Sequence, residues 1–197
     1  MLLRQSAFDT APSAFDLCGA SVAASIEPAM TDIEQRIQGI MDAWHISYQV
    51  LPCDPELADT AAYCQHYGIP ADRTANTIIV ASKKDPKKYS ACLVLADSRL
   101  DVNHTVSRLM NVSRLSFATT DEAVILTGML AGGVTVFGLP DDWPIYVDGR
   151  LMERDWIIVG GGSRSSKIKV NPDQMFKVPN AVVVHGLATL RDGPQQA

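Results

Sequence analysis

TGMLAGGVTVFGLP, residues 127–140, carries four glycines (Gly128, Gly132, Gly133 and Gly138) and no charge. Gly-Gly followed by the β-branched Val134, Thr135 and Val136 reads as a tight turn running into an extended segment. Glycines at such a turn let another group approach the backbone closely, and let successive N–H groups aim at one point. That geometry suits an anion, a carbonyl oxygen or a developing oxyanion. The plainer alternative, a hairpin turn or a packing crossover, uses the same glycines. Either way the chain must be arranged around this crossing.

On the N-terminal side, Thr119 and Glu122 have capping-box spacing, predicting a short helix that ends near Gly128. Farther back, Thr31 and Glu34 have the same spacing, with Ile33, Ile37, Ile40, Met41 and Trp44 following at helical intervals. Residues 46–51, ISYQVL, alternate as a strand. Pro55 suits the first turn of a helix running to Tyr67 and Gly68, with Leu57, Ala61, Cys64 and Tyr67 on its inner face. Residues 74–81 and 89–96, TANTIIVA and YSACLVLA, read as an antiparallel hairpin tipped by Lys83, Lys84, Lys87 and Lys88. A helix from Asp101 to about Asn111 follows, then a short strand at 116–118.

On the C-terminal side, strands are expected at 143–147 and 156–159, the second entering another glycine loop, Gly160-Gly161-Gly162-Ser163-Arg164. Lys167 to Val170, KIKV, alternates outward and inward. Asn171 and Pro172 open a short helix, and 181–184 forms a last strand. The expected fold is α+β, a single-domain mixed but mainly antiparallel sheet flanked by helices. The expected divisions are an N-terminal extension at 1–30, the domain at 31–190 and a tail at 191–197.

Composition narrows the function. The 197 residues are 47% hydrophobic and 20% charged, with net charge −5. That argues against nonspecific coating of nucleic acid, though not against a local basic patch. Cys18, Cys53, Cys64 and Cys92 have no CxxC spacing, and the four histidines form no metal pattern. No apolar run approaches a membrane span, and Arg4 interrupts Leu2-Leu3 before any signal core forms. A cytoplasmic protein with reduced thiols, no cofactor and no metal is expected.

GxSxG and GxxxxGK[ST] are absent, and Gly160-Gly161-Gly162 leads into a strand rather than a helix, unlike a dinucleotide loop. What remains is two glycine-rich loops with Asp148 between them and Arg164 after the second. The first loop's amides suit an ester carbonyl, and Arg164 suits a phosphate or carboxylate.

The order LTG, GGVTVFGLP, PIYVD, IIVGGGSRS, IKVNPDQM resembles the YbaK/EbsC family, relatives of the editing insertion of bacterial prolyl-tRNA synthetase. The likeness extends upstream through HISYQVLP, GIP and TANTIIV and covers about 31–187. It implies a YbaK-like fold and metal-independent hydrolysis of the ester bond of mischarged aminoacyl-tRNA. It implies tRNA as partner through its aminoacylated acceptor end, with an aminoacyl-tRNA synthetase as a further partner, and no membrane. By this resemblance the catalytic positions are Asn76, Gly132, Gly133, Val134, Thr135 and Val136. Substrate contacts fall to Thr77, Thr127, Gly128, Gly138, Asp148, Gly160, Gly161, Gly162 and Arg164. The chain departs from the family pattern twice. Asn76 stands where the family has a lysine, and Val136 where it has the proline of GxxxP. Lys83 or Lys84 could fill the lysine's place if the hairpin curls over the pocket. The alternative is a catalytically impaired member that binds an aminoacyl or nucleotide-like ligand.

Overall fold

The structure, a computed structural model, describes residues 30–191. The readings of the remaining N- and C-terminal residues lie outside the described residues.

Helix α1 (Asp32–Ala43) begins at the expected capping box. Thr31 Oγ1 accepts from the Glu34 amide, and the Glu34 carboxylate accepts from the Thr31 amide. Its Ile37 and Met41 are fully buried. Strand β1 (Tyr48–Pro52) follows. The single helix expected after Pro55 is divided into a 3₁₀ turn (Pro55–Leu57), with Asp54 capping the Glu56 amide, and α2 (Thr60–Tyr67). Starting five residues later changes the phase of the buried face. Tyr63 is the buried residue of α2, while Ala61 and Tyr67 are exposed. Gly68, at φ 64°, ends it as expected.

Strands β2 (Ala75–Ser82) and β3 (Tyr89–Leu95) form the antiparallel hairpin, with Ala75 opposite Leu95 and Ala81 opposite Tyr89. After β4 (Ser98–Leu100), Asp101 caps a π-helical turn (Val102–Val106) that runs into α3 (Ser107–Met110). Asn111 stops it in the left-handed region at φ 52°. Strand β5 (Leu115–Phe117) and helix α4 (Thr120–Thr127) follow. Thr119 caps α4, but the Glu122 carboxylate turns to Lys87 and Tyr89 instead of completing the box. The last elements are β6 (Ile145–Asp148), β7 (Ile157–Gly160), β8 (Ser166–Val170), a 3₁₀ turn (Pro172–Lys177), β9 (Ala181–Val184) and β10 (Ala188–Leu190).

The strands assemble as a five-stranded sheet β5-β2-β3-β6-β9, a three-stranded sheet β1-β8-β7 and the pair β10-β4. β3-β6 and β6-β9 are parallel, and the other ladders are antiparallel. This is the expected mixed, mainly antiparallel α+β arrangement. Strand β3 explains its own apolar run, because both of its faces are covered. Ala91, Leu93 and Leu95 join a core with α1, Phe137, Ile157 and Ile168, while Cys92 and Val94 join a second with Val106, Tyr146 and Leu187. A parallel bridge between Thr74 and Ile158 brings the start of β2 alongside β7 and joins the two larger sheets. Among the described residues no helix is long and apolar enough to cross a membrane.

Candidate functional site

Where β2 and β7 meet, a cavity of about 300 Å³ opens to solvent. Its walls come from five segments: Asp59 and Thr60 at the start of α2, residues 74–78 entering β2, the turn residues Gly132 and Val134, Ile158 to Gly160 on β7, and Lys167 on β8. The sequence separations are large, so the cavity exists only once both sheets have docked.

The glycine loops explain how the backbones come so close. The Gly162 amide donates to the Gly133 carbonyl at 2.7 Å, and the Leu130 amide donates to the Gly162 carbonyl at 2.9 Å. A Cβ on Gly133 would lie 2.1 Å from the Ser163 carbonyl oxygen, and one on Gly160 2.3 Å from that of Gly133. Gly132 adopts φ 81°. The packing-crossover reading therefore accounts for Gly133 and Gly160, while Gly160, Gly132 and Val134 also line the cavity.

The amides of this turn are not equivalent. Gly133 donates to the Leu130 carbonyl, and Thr135 donates to the Met129 sulfur. Neither Gly132 nor Val134 donates its amide to an acceptor among the described residues. Two cations hold the turn from behind. Arg164 donates from Nε to the Pro55 carbonyl at 2.8 Å and from Nη1 to the Ala131 carbonyl at 3.0 Å. Lys167 Nζ donates to the carbonyls of Ala58 at 2.6 Å and Gly132 at 2.7 Å.

The other wall is polar. Thr60 Oγ1 donates to Asn76 Oδ1 at 2.5 Å, which leaves the Asn76 Nδ2 hydrogens available. Thr77 Oγ1 is buried without a partner among the described residues. Among the described residues no histidine or cysteine lines the cavity, and Asp59 is the one carboxylate there.

Of the positions singled out in the sequence, Asn76, Thr77, Gly132, Val134 and Gly160 are brought together here. Gly133 and Gly161 lie behind them in backbone packing. Val136 is fully buried in the main core. Thr135 is buried too, its hydroxyl without a partner among the described residues. Thr127 bonds back to the Ala123 carbonyl, and Gly128 is the left-handed stop of α4. Gly138 and Gly162 pack on α1 side chains. Asp148 is fully buried and caps the Arg150 amide; burial pushes its carboxyl above the ordinary 3.8. Arg164 serves backbone carbonyls, and Lys83 and Lys84 stay exposed at the hairpin tip, off the cavity.

Lys167 was missed. The alternation of KIKV is real, since Ile168 and Val170 enter the core. The outward side, however, is roofed by Ala58, Tyr63 and the Gly132 turn, leaving Lys167 4% exposed. Period-two patterning marks a face and does not say what covers it.

The sequence profile of the aminoacyl-tRNA editing domain matches residues 54–178. Three solved structures share the fold. A candidate trans-editing enzyme for prolyl-tRNA synthetase is 22% identical, with TM-score 0.68, covering 84% of this chain and all of its own. A hypothetical protein, APE2540, is 23% identical with TM-score 0.70, covering 78% of this chain and 99% of its own. A scaffold used for computational grafting of epitopes is 21% identical with TM-score 0.67, covering 83% of this chain and all of its own. The profile spans both cavity-forming halves of the chain, including Asn76, the Gly132 turn and Lys167, and the chain belongs to the YbaK-like aminoacyl-tRNA editing domain family.

Proposed function

We propose that the protein hydrolyses the ester bond of mischarged aminoacyl-tRNA, acting on the free aminoacylated acceptor end. The observation that carries this reading is that Asn76, Thr77, Gly132 and Val134 line one cavity, and that the Gly132 and Val134 amides have no acceptor among the described residues. Its volume is at the lower end of small-ligand sites, enough for an aminoacyl group and the adjoining sugar edge.

In this reading the Gly132 and Val134 amides donate to the ester carbonyl, and Asn76 Nδ2 and Thr77 Oγ1 hold hydroxyl or phosphate oxygens of the terminal nucleotide. Water adds to the carbonyl carbon, helped by the neighbouring ribose hydroxyl. The tetrahedral intermediate collapses by breaking the bond to the ribose oxygen, which takes the proton. Because positioned donors and the substrate's own hydroxyl supply the chemistry, no side-chain nucleophile is required. Gly160 forms part of the wall, and Arg164, Gly161 and Gly162 act one step removed, fixing the turn. The reaction needs no metal in this reading, so chelation with EDTA should leave the rate unchanged; a loss restored by an added divalent ion would contradict that part.

A second reading, a binding module without turnover, is favoured by Asn76, because an amide brings no charge where the family pattern places a lysine. Incubating the protein with mischarged tRNAs separates the two. Release of amino acid supports the first, and saturable tRNA binding without release supports the second.

A further inference from the structure

Lys167 is nearly inaccessible, yet its ammonium borders the cavity. It makes no ion pair with a described carboxylate. Two of its three N–H groups are used on Ala58 and Gly132, and its charge lies 5.4 Å from the centre of the Tyr63 ring. Burial pushes its pKa below the usual 10.5. Asp59, on the same cavity, favours the charge from a distance without pairing with it. A buried ammonium with no carboxylate in contact is expensive, an expense that collects where a charge is used.

A purely structural role accounts for it poorly. A pin between the segment before α2 and the glycine turn is already present, because Arg164 ties the Pro55 carbonyl to that of Ala131. Lys167 repeats the tie one step closer to the cavity and adds a charge that a pin does not need. Asn76, on the same cavity, is neutral, so Lys167 is the one cationic side chain lining it among the described residues.

We propose that Lys167 is the catalytic cation of this site, donating its third N–H to the ester carbonyl oxygen as negative charge builds there. This rests on the deacylase reading above. Lys167 stays protonated throughout. The new bond runs from water oxygen to the carbonyl carbon, the broken bond is that to the ribose oxygen, and the water's proton ends on that oxygen. The charge absent from β2 is thus supplied from β8, on the same cavity, by a group that contacts the reacting carbonyl.

The test uses the full chain with Lys167→Met, which keeps the length of the stem, and Lys167→Gln, which keeps donors without charge. Circular dichroism and thermal unfolding select the folded variant. On the mischarged tRNA that wild type hydrolyses fastest, kcat should fall about 100-fold, the scale of one lost oxyanion donor, with KM within about threefold. A second measurement is independent of turnover. Binding of two adenosine analogues carrying that amino acid, a neutral 3′-amide and an anionic 3′-phosphonate, is compared by calorimetry. Wild type should prefer the phosphonate, and the variant should lose that preference. An active wild type with a folded variant of equal kcat, or of equal phosphonate preference, overturns the role of Lys167 and leaves the deacylase reading standing. A wild type that releases nothing from any tRNA and binds neither analogue overturns both.

Discussion

Glu34 shows how one side chain can tie a helix start to a distant loop. Its carboxylate completes the α1 capping box and also accepts from Ser163 Oγ, in the second glycine loop. It is 5% exposed. Burial alone raises its pKa, but hydrogen bonds from Ser163, Ser166 and Thr31 together outweigh burial and hold it below 4.5. A depressed carboxylate contributes stability that is present above the unfolded value and lost as pH falls through the folded one. Glu34→Gln keeps the hydrogen-bonding shape and removes the charge. The stability gap between wild type and this variant, measured by urea unfolding, should be widest near pH 7 and close as pH drops below about 4.5. A gap that does not change with pH would refute the assignment. The capping half of this arrangement was legible in Thr31-x-x-Glu34. The Ser163 half was not, because it joins residues 129 positions apart.

The two glycine loops act as one element. Gly133 and Gly160 are required because backbone meets backbone, where no rotamer change makes room. Gly133→Ala and Gly160→Ala should each cost about 2–3 kcal/mol or more in chemical unfolding, toward the upper end of overpacking effects. Because both oppose the same close approach, the double variant should cost less than the sum of the singles. Strict additivity would mean that the loops move independently. At this scale the sequence was informative where the signal is local. Helix caps, the hairpin and the left-handed stops at Gly68 and Asn111 all appear in the structure. The α2 face was misread because the break at 55–59 resets the helical phase. Residues 134–136 enter no strand, despite three β-branched side chains, because packing against Gly160 and the core occupies them instead.

At the scale of the whole molecule, the cavity is a product of assembly. Asn76 reaches it on the five-stranded sheet, Lys167 on the three-stranded sheet and Gly132 on the connection between α4 and β6. The part of the cavity lining legible in the sequence was Asn76, Thr77, Gly132, Val134 and Gly160, because glycine turns and family spacing mark backbone positions. The cation was hidden, because a lysine in an alternating strand looks like solvent-facing charge until the roof over it is known. The fold brings the Asn76 amide, the Lys167 side chain and the Gly132–Val134 turn to one cavity, with Lys167 bonded to the Gly132 carbonyl. The most direct test of this account is release of labelled amino acid when the folded chain meets a panel of mischarged tRNAs. The account predicts release above the buffer rate from at least one of them; no release from any member of the panel would contradict it.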